Sequence, residues 1–254
     1  MRIITLTYET AECGYEAMLS NDTSITFIIS KYEMERKMFA AAIELALFKI
    51  TDDPCGPLVK QSLVQFDNGF EYEYPLVQFN KEVKLPFDRQ QFLDHIAGQN
   101  PMDTVEYARG GEYTKQTNAF LERLSAGRLM AIRCDSNAGM GVEQRNGTVI
   151  SVFAMSSGEL ATIKLAARLA DFELDRYACQ IITCASVGQM DQTHTALFYG
   201  ALMETLRPKS QVVFLGRLVD ALGSPLTMVA PNTPIIDLDD KEQFDANEEE
   251  GVSK

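Results

Sequence analysis

The chain has 254 residues, a formal net charge of -13, 46% hydrophobic and 23% charged residues. That is enough for one large or two ordinary domains with a substantial core, and its acidity disfavours a simple basic-patch nucleic-acid binder. Five cysteines in no CxxC or CxH pattern read as reduced thiols, no apolar run approaches a membrane span, and the N-terminus lacks a signal-peptide core, so a cytoplasmic protein is expected.

In chain order, RIITLTY (2–8) and SITFIIS (24–30) read as strands. KYEMERKMFAAAIELALFKI follows without Gly or Pro and is a helix whose apolar positions wrap most of the cylinder; Glu33, Lys37 and Glu44 mark its polar stripe. After the break at DDPCGP, Asn68-Gly69 between alternating segments predicts a two-residue type I′ hairpin, with Phe70, Tyr72 and Tyr74 on one face. KEVKLPFDRQQFLDHIAGQ predicts a strand and a short helix from Asp88 to Gly98. MDTVEYARG predicts a strand, and TKQTNAFLERLSAG a helix stopped at Gly127.

RLMAIRCD is a strand, and Asn146-Gly147 predicts a second hairpin. SSGELATIKLAARLADFEL is a helix capped at Ser157, ACQIITCASVG a strand, and THTALFYGALMETLRP a helix ended by Pro208. QVVFLGRLVDALGSPLTMVAP predicts two strands around a Gly-Ser-Pro turn. The polar, acidic sequence beyond reads as a disordered tail. Hairpins outnumber strand–helix–strand units, so the expected fold class is α+β, antiparallel sheets with packed helices. Asn21–Leu45 and Asn146–Ala170 align without a gap, suggesting duplication of a hairpin-plus-helix unit. The expected divisions are 1–127, 128–236 and an acidic tail at 237–254.

Several chemistries find no support. GxxxxGK[ST] is absent, so no phosphate loop is expected. Two histidines, His95 and His194, and scattered cysteines make no zinc set, and no nucleophile elbow occurs; no cofactor, metal or catalytic residue is assigned. Cys179 and Cys184, five apart in one predicted strand, should face opposite ways. What remains is a set of basic side chains on helices, Arg36, Lys37, Arg89, Lys164, Arg168 and Arg207. They could converge on phosphates or could be solvated helix faces.

The run VFAMSSGELATIKLAARLA, with YACQIITCASVG and THTALFYGALMETLRPKSQVVFLGRLVDALGSPLTMVAP after it, resembles a domain of the ring-shaped DNA sliding clamps, the polymerase processivity factors. The resemblance covers about residues 150–231. It implies β-α-β-β-β units in a homo-oligomeric ring around duplex DNA, without enzymatic activity. Arg36, Lys37, Arg89, Lys164, Arg168 and Arg207 would then contact the DNA backbone, and a DNA polymerase and a clamp loader would be partners. The alternatives are a single-stranded nucleic-acid-binding protein of a phage or mobile element, stacking bases on Phe70, Tyr72 and Tyr74, or a viral structural or assembly protein.

Overall fold

A computed structural model describes residues 2–11, 14–19, 24–48, 54–74, 111–135, 139–174, 179–207, 210–217, 220 and 232–239. The expectations for 75–110, including His95, Arg89 and two strands with a helix, lie outside them, as does the Gly-Ser-Pro turn.

Its centre is a parallel sheet. β3 (Ile25–Ile29) and β10 (Gln211–Gly216) are buried at every position, as continuous apolar strands covered on both faces should be. β10 pairs in parallel with β3 on one side and with β9 (Cys179–Thr183) on the other; β11 (Ile235–Asp237) pairs with the far edge of β3. The order is β11-β3-β10-β9. Pleating sends alternate side chains to opposite faces. Ile25, Phe27, Ile29, Val212 and Phe214 enter one core. Ile28, Val213 and Leu215 enter a second.

On the second face lies α1 (Glu33–Phe48), which is itself covered by an antiparallel sheet of β1 (Ile3–Glu9), β2 (Gly14–Met18), β4 (Gln61–Phe66) and β5 (Glu71–Tyr74), in the order β2-β1-β4-β5. A helix between two sheets has little solvent face. This explains why even Glu44, expected on a polar stripe, is only 2% exposed. On the first face pack α2 (Glu112–Leu124), α3 (Ser157–Glu173) and α5 (Gln192–Thr205), with an antiparallel sheet of β6 (Leu129–Asp135), β7 (Gly139–Gln144) and β8 (Val149–Ser151). A short helix, α4 (Cys184–Val187), follows β9 directly, so Cys184 lies outside the strand in which it was expected. The fold is therefore α+β, antiparallel sheets with packed helices, and it contains one parallel sheet that hairpin counting did not anticipate.

Both Asn-Gly hairpins form, with a different turn. Gly69 and Gly147 have φ of 81° and 82°, but neither preceding Asn has a positive φ. Phe66 N–H donates to Phe70 O and Gly69 N–H to Phe66 O; Gln144, Thr148 and Gly147 repeat the pattern. These are three-residue loops with the glycine left-handed at the third position. Each Asn instead accepts from the backbone two residues on, Asn68 from Phe70 and Asn146 from Thr148. The two aligned stretches each make a strand followed by a helix. β3 is internal to the parallel sheet, whereas β8 is the edge of an antiparallel one. No helix among the described residues is long and apolar enough to cross a membrane.

Candidate functional site

Because β3, β9, β10 and β11 run the same way, their carboxyl ends lie along one edge, where open sheets with parallel strands bind ligands. Ser30, Gly216, Cys184 and Asp239 sit at or just past those ends. Ser30 N–H donates to Gly216 O at 3.1 Å, and Leu238 N–H to Ile29 O at 2.8 Å, which fixes the strand ends against each other.

The β3–α1 turn is the centre of this edge. Ser30 Oγ lies 2.7 Å from Asp239 Oδ1 and 2.9 Å from Glu35 Oε2, and it accepts from Tyr32 N–H at 2.9 Å. Asp239 Oδ2 accepts from Lys31 N–H at 3.0 Å. The Arg36 guanidinium donates to Ser30 O. Burial pushes the Asp239 carboxyl up, but the Lys31 amide, the Ser30 hydroxyl, the Glu35 carboxyl and the Lys31 ammonium together hold it below its ordinary value.

Beyond β10, Arg217 contacts Asp220 through its backbone amide (2.9 Å) and its guanidinium (3.2 Å). Burial raises Asp220, yet the hydrogen bonds and charge of Arg217, with the charge of Arg36, leave it lowered. At the end of β9, burial pushes the Cys184 thiol up to about 12, with Asp220 adding to the shift and Arg36 opposing it. Cys184 fills the space over Gly216, where a Cβ would lie 2.5 Å from its Sγ.

A strand, a turn and a helix at this edge is where phosphate-binding folds place a glycine-rich loop, its Lys, and a carboxylate that helps hold Mg²⁺. Here the connection is three residues, Ser30-Lys31-Tyr32, without glycine. Glu33 and Glu35 occupy the first turn of α1, so the helix end is already acidic. The Lys31 amide is engaged by Asp239, and the residue that follows β9 is Cys184 rather than an acid. The residues present do not fit a nucleotide triphosphate. Among the described residues, no group of three His, Cys, Asp or Glu converges as a metal set.

The sequence-predicted residues fall elsewhere or are already engaged. Arg36 is part of this edge. Lys37 is paired with Glu33 at 2.8 Å. Lys164 and Arg168 are partly buried on α3, across the parallel sheet from α1, and each has an interacting neighbour. Arg207 donates to Glu173 O at 3.0 Å, at the C-terminus of α3. Phe70 is exposed at the hairpin tip. Tyr72 and Tyr74 pack against the second core, Tyr72 edge-on to Phe66 with ring centroids 5.7 Å apart. Sequence reading missed Ser30, Glu35, Asp239, Arg217 and Asp220; the acidic first turn directly after a buried strand was the available signal.

No protein-family model matches the sequence, and no curated protein matches it either. Solved structures do. The chain is similar to an Smc head bound to the C-terminal winged-helix domain of ScpA, with 12% identity, a TM-score of 0.56, and 88% of this chain and 93% of that chain covered. It is also similar to an Smc head domain with an extended coiled coil bound to the C-terminal domain of ScpA, derived from Pyrococcus furiosus, with 10% identity, a TM-score of 0.56, and 87% and 91% covered. The fold is that of an Smc head domain.

This overturns the sliding-clamp resemblance, and with it the processivity-factor reading, the DNA polymerase and clamp-loader partners and the homo-oligomeric ring on DNA. β8 and β9, which flank α3, lie in different sheets, so the expected β-α-β unit does not form. A helix start after a strand is local chemistry that many folds share. The single-strand-binding and viral-structural alternatives gain no support from the fold.

Proposed function

We propose that this chain is a head-like docking module, which uses the Smc-head fold to bind a protein partner and does not hydrolyse nucleotide at the β3–α1 turn. The observation that carries this reading is the Asp239 carboxylate on the Lys31 amide, a built-in anion where a phosphate would need donors. The partner class suggested by the structural neighbours is a small winged-helix domain, since one of them holds such a domain of ScpA. Free thiols at Cys55, Cys134 and Cys184 suit a reducing cytoplasm.

Calorimetric titration of the full chain with Mg·ATP tests the reading. No saturable binding is expected up to about 1 mM. Micromolar affinity with turnover that is lost in Arg36→Ala overturns it.

A further inference from the structure

The two Asn-Gly turns are a matched pair that differs in charge. The loops are Asp67-Asn68-Gly69 and Arg145-Asn146-Gly147, all exposed. Gly69 N–H donates to Phe66 O at 3.0 Å and Gly147 N–H to Gln144 O at 2.9 Å. Asn68 Oδ1 accepts from Phe70 N–H at 3.2 Å and Asn146 Oδ1 from Thr148 N–H at 3.0 Å. Even the first loop amide is fastened alike. Asp67 N–H donates to Arg2 O at 3.0 Å, just before β1, and Arg145 N–H to Arg128 O at 3.1 Å, just before β6.

Asn-Gly is a reactive pair because glycine has no Cβ to hinder its own nitrogen. Nothing lies within 4 Å of where a Cβ would stand at either glycine, so both are open to water. The glycine N gives up its proton and attacks the Asn Cγ. A new N–Cγ bond closes a succinimide, the bond from Cγ to the side-chain nitrogen breaks, and that nitrogen leaves as ammonia with the proton the glycine lost. Water then opens the ring to aspartate or, through the other carbonyl, to isoaspartate. The attacking nitrogen is an anion and the tetrahedral intermediate carries an oxyanion, so a nearby cation promotes the step and a nearby anion opposes it. In both folded turns the glycine N–H and the Asn Oδ1 are engaged, so each loop must open first, by breaking the same set of contacts.

We propose that Asn146 is a site of spontaneous deamidation and that Asn68, in the same turn, is its protected counterpart. A guanidinium, Arg145, precedes Asn146. The other charges near that hairpin are paired, Arg128 with Glu159 and Arg133 with Glu143. A carboxylate, Asp67, precedes Asn68, and Glu71 follows two residues after its glycine. The product carboxylate at 146 lies beside Arg145, whereas at 68 it would lie beside Asp67. Isoaspartate also adds one carbon to the backbone of the loop. The bonds from Gly147 N–H to Gln144 O and from Gln144 N–H to Thr148 O then cannot both keep their geometry, which loosens β8 from β7.

Peptide mapping by mass spectrometry of the full chain, aged near neutral pH at low salt, follows both pairs in one sample. Asn146 should convert about two- to fivefold faster than Asn68, the size expected of one exposed charge. The ratio should approach one in about 1 M salt, where charges are screened within about 3 Å. Arg145→Asp should slow Asn146 to the rate of Asn68, with circular dichroism reporting that the variant is folded. Equal rates at low salt, faster loss at Asn68, a ratio that ignores salt, or an unchanged Asn146 rate in folded Arg145→Asp overturns the proposal. The proposal stands apart from the docking reading: Mg·ATP binding sinks that one and leaves this one to the peptide maps.

Discussion

Gln211 is fully buried, and both ends of its side-chain amide are engaged by one residue. Oε1 accepts from Ile3 N–H at 2.9 Å and Nε2 donates to Ile3 O at 2.7 Å. The side chain thus completes the hydrogen bonding of β1 from a strand of a different sheet. Replacing it with leucine keeps the approximate size and strands two backbone groups, each of which costs about 1–3 kcal/mol when buried without a partner. Gln211→Leu should therefore lose about 2–6 kcal/mol, read as a lower urea midpoint at unchanged slope. Nothing in QVVFLG indicates this role, because the partner is 208 residues away. The asparagines of the two hairpins were partly legible. Asn-Gly announced a turn, but the choice between a two-residue and a three-residue loop rests on how Phe66 and Phe70, or Gln144 and Thr148, pair.

At the scale of the element, α3 is the clearest case. Ser156 is its N-cap, accepting from Glu159 N–H at 3.3 Å, while Glu159 Oε2 accepts from Ser156 N–H at 2.9 Å. This is a capping box, and Ser156-x-x-Glu159 was readable as one, although Ser157 was the expected cap. Arg128 reaches the same Glu159 at 2.6 Å, and Arg207 closes the other end of the helix on Glu173 O. Ser156→Ala should cost about 1 kcal/mol, a drop in thermal midpoint with no change in the described fold. The existence of α1 was also legible from composition. That Glu44 is buried was not, since a single helix pattern cannot reveal that both of its faces are covered by sheets.

For the whole molecule, several carboxylates are held below their ordinary values in the folded state. The Ser156 amide, with its hydroxyl and Arg128, outweighs burial at Glu159. Asp220 and Asp239 are lowered by the partners already described. A depressed folded value means the native state favours the ionised form. That contribution is fully present above the ordinary values of 3.8 and 4.5 and is lost as pH falls through and below them. Urea midpoints should therefore hold near neutrality and decline from about pH 5 to about pH 3.

The sequence by itself determined most of the local structure: the apolar strands β3 and β10, the helices α1, α2, α3 and α5, the two Asn-Gly turns and the missing glycines of a phosphate loop. Each of these depends on neighbours within a few positions, through propensity, capping or positive φ. Tertiary structure alone decided that β3, β9, β10 and β11 lie side by side in parallel, since β3 and β10 are paired across almost the length of the chain. It also decided that Asp239, which reads in sequence as part of an acidic tail, returns to the β3–α1 turn. Pairing between distant strands leaves no periodic trace in either one. The edge where their ends meet becomes visible only when the chain has closed on itself.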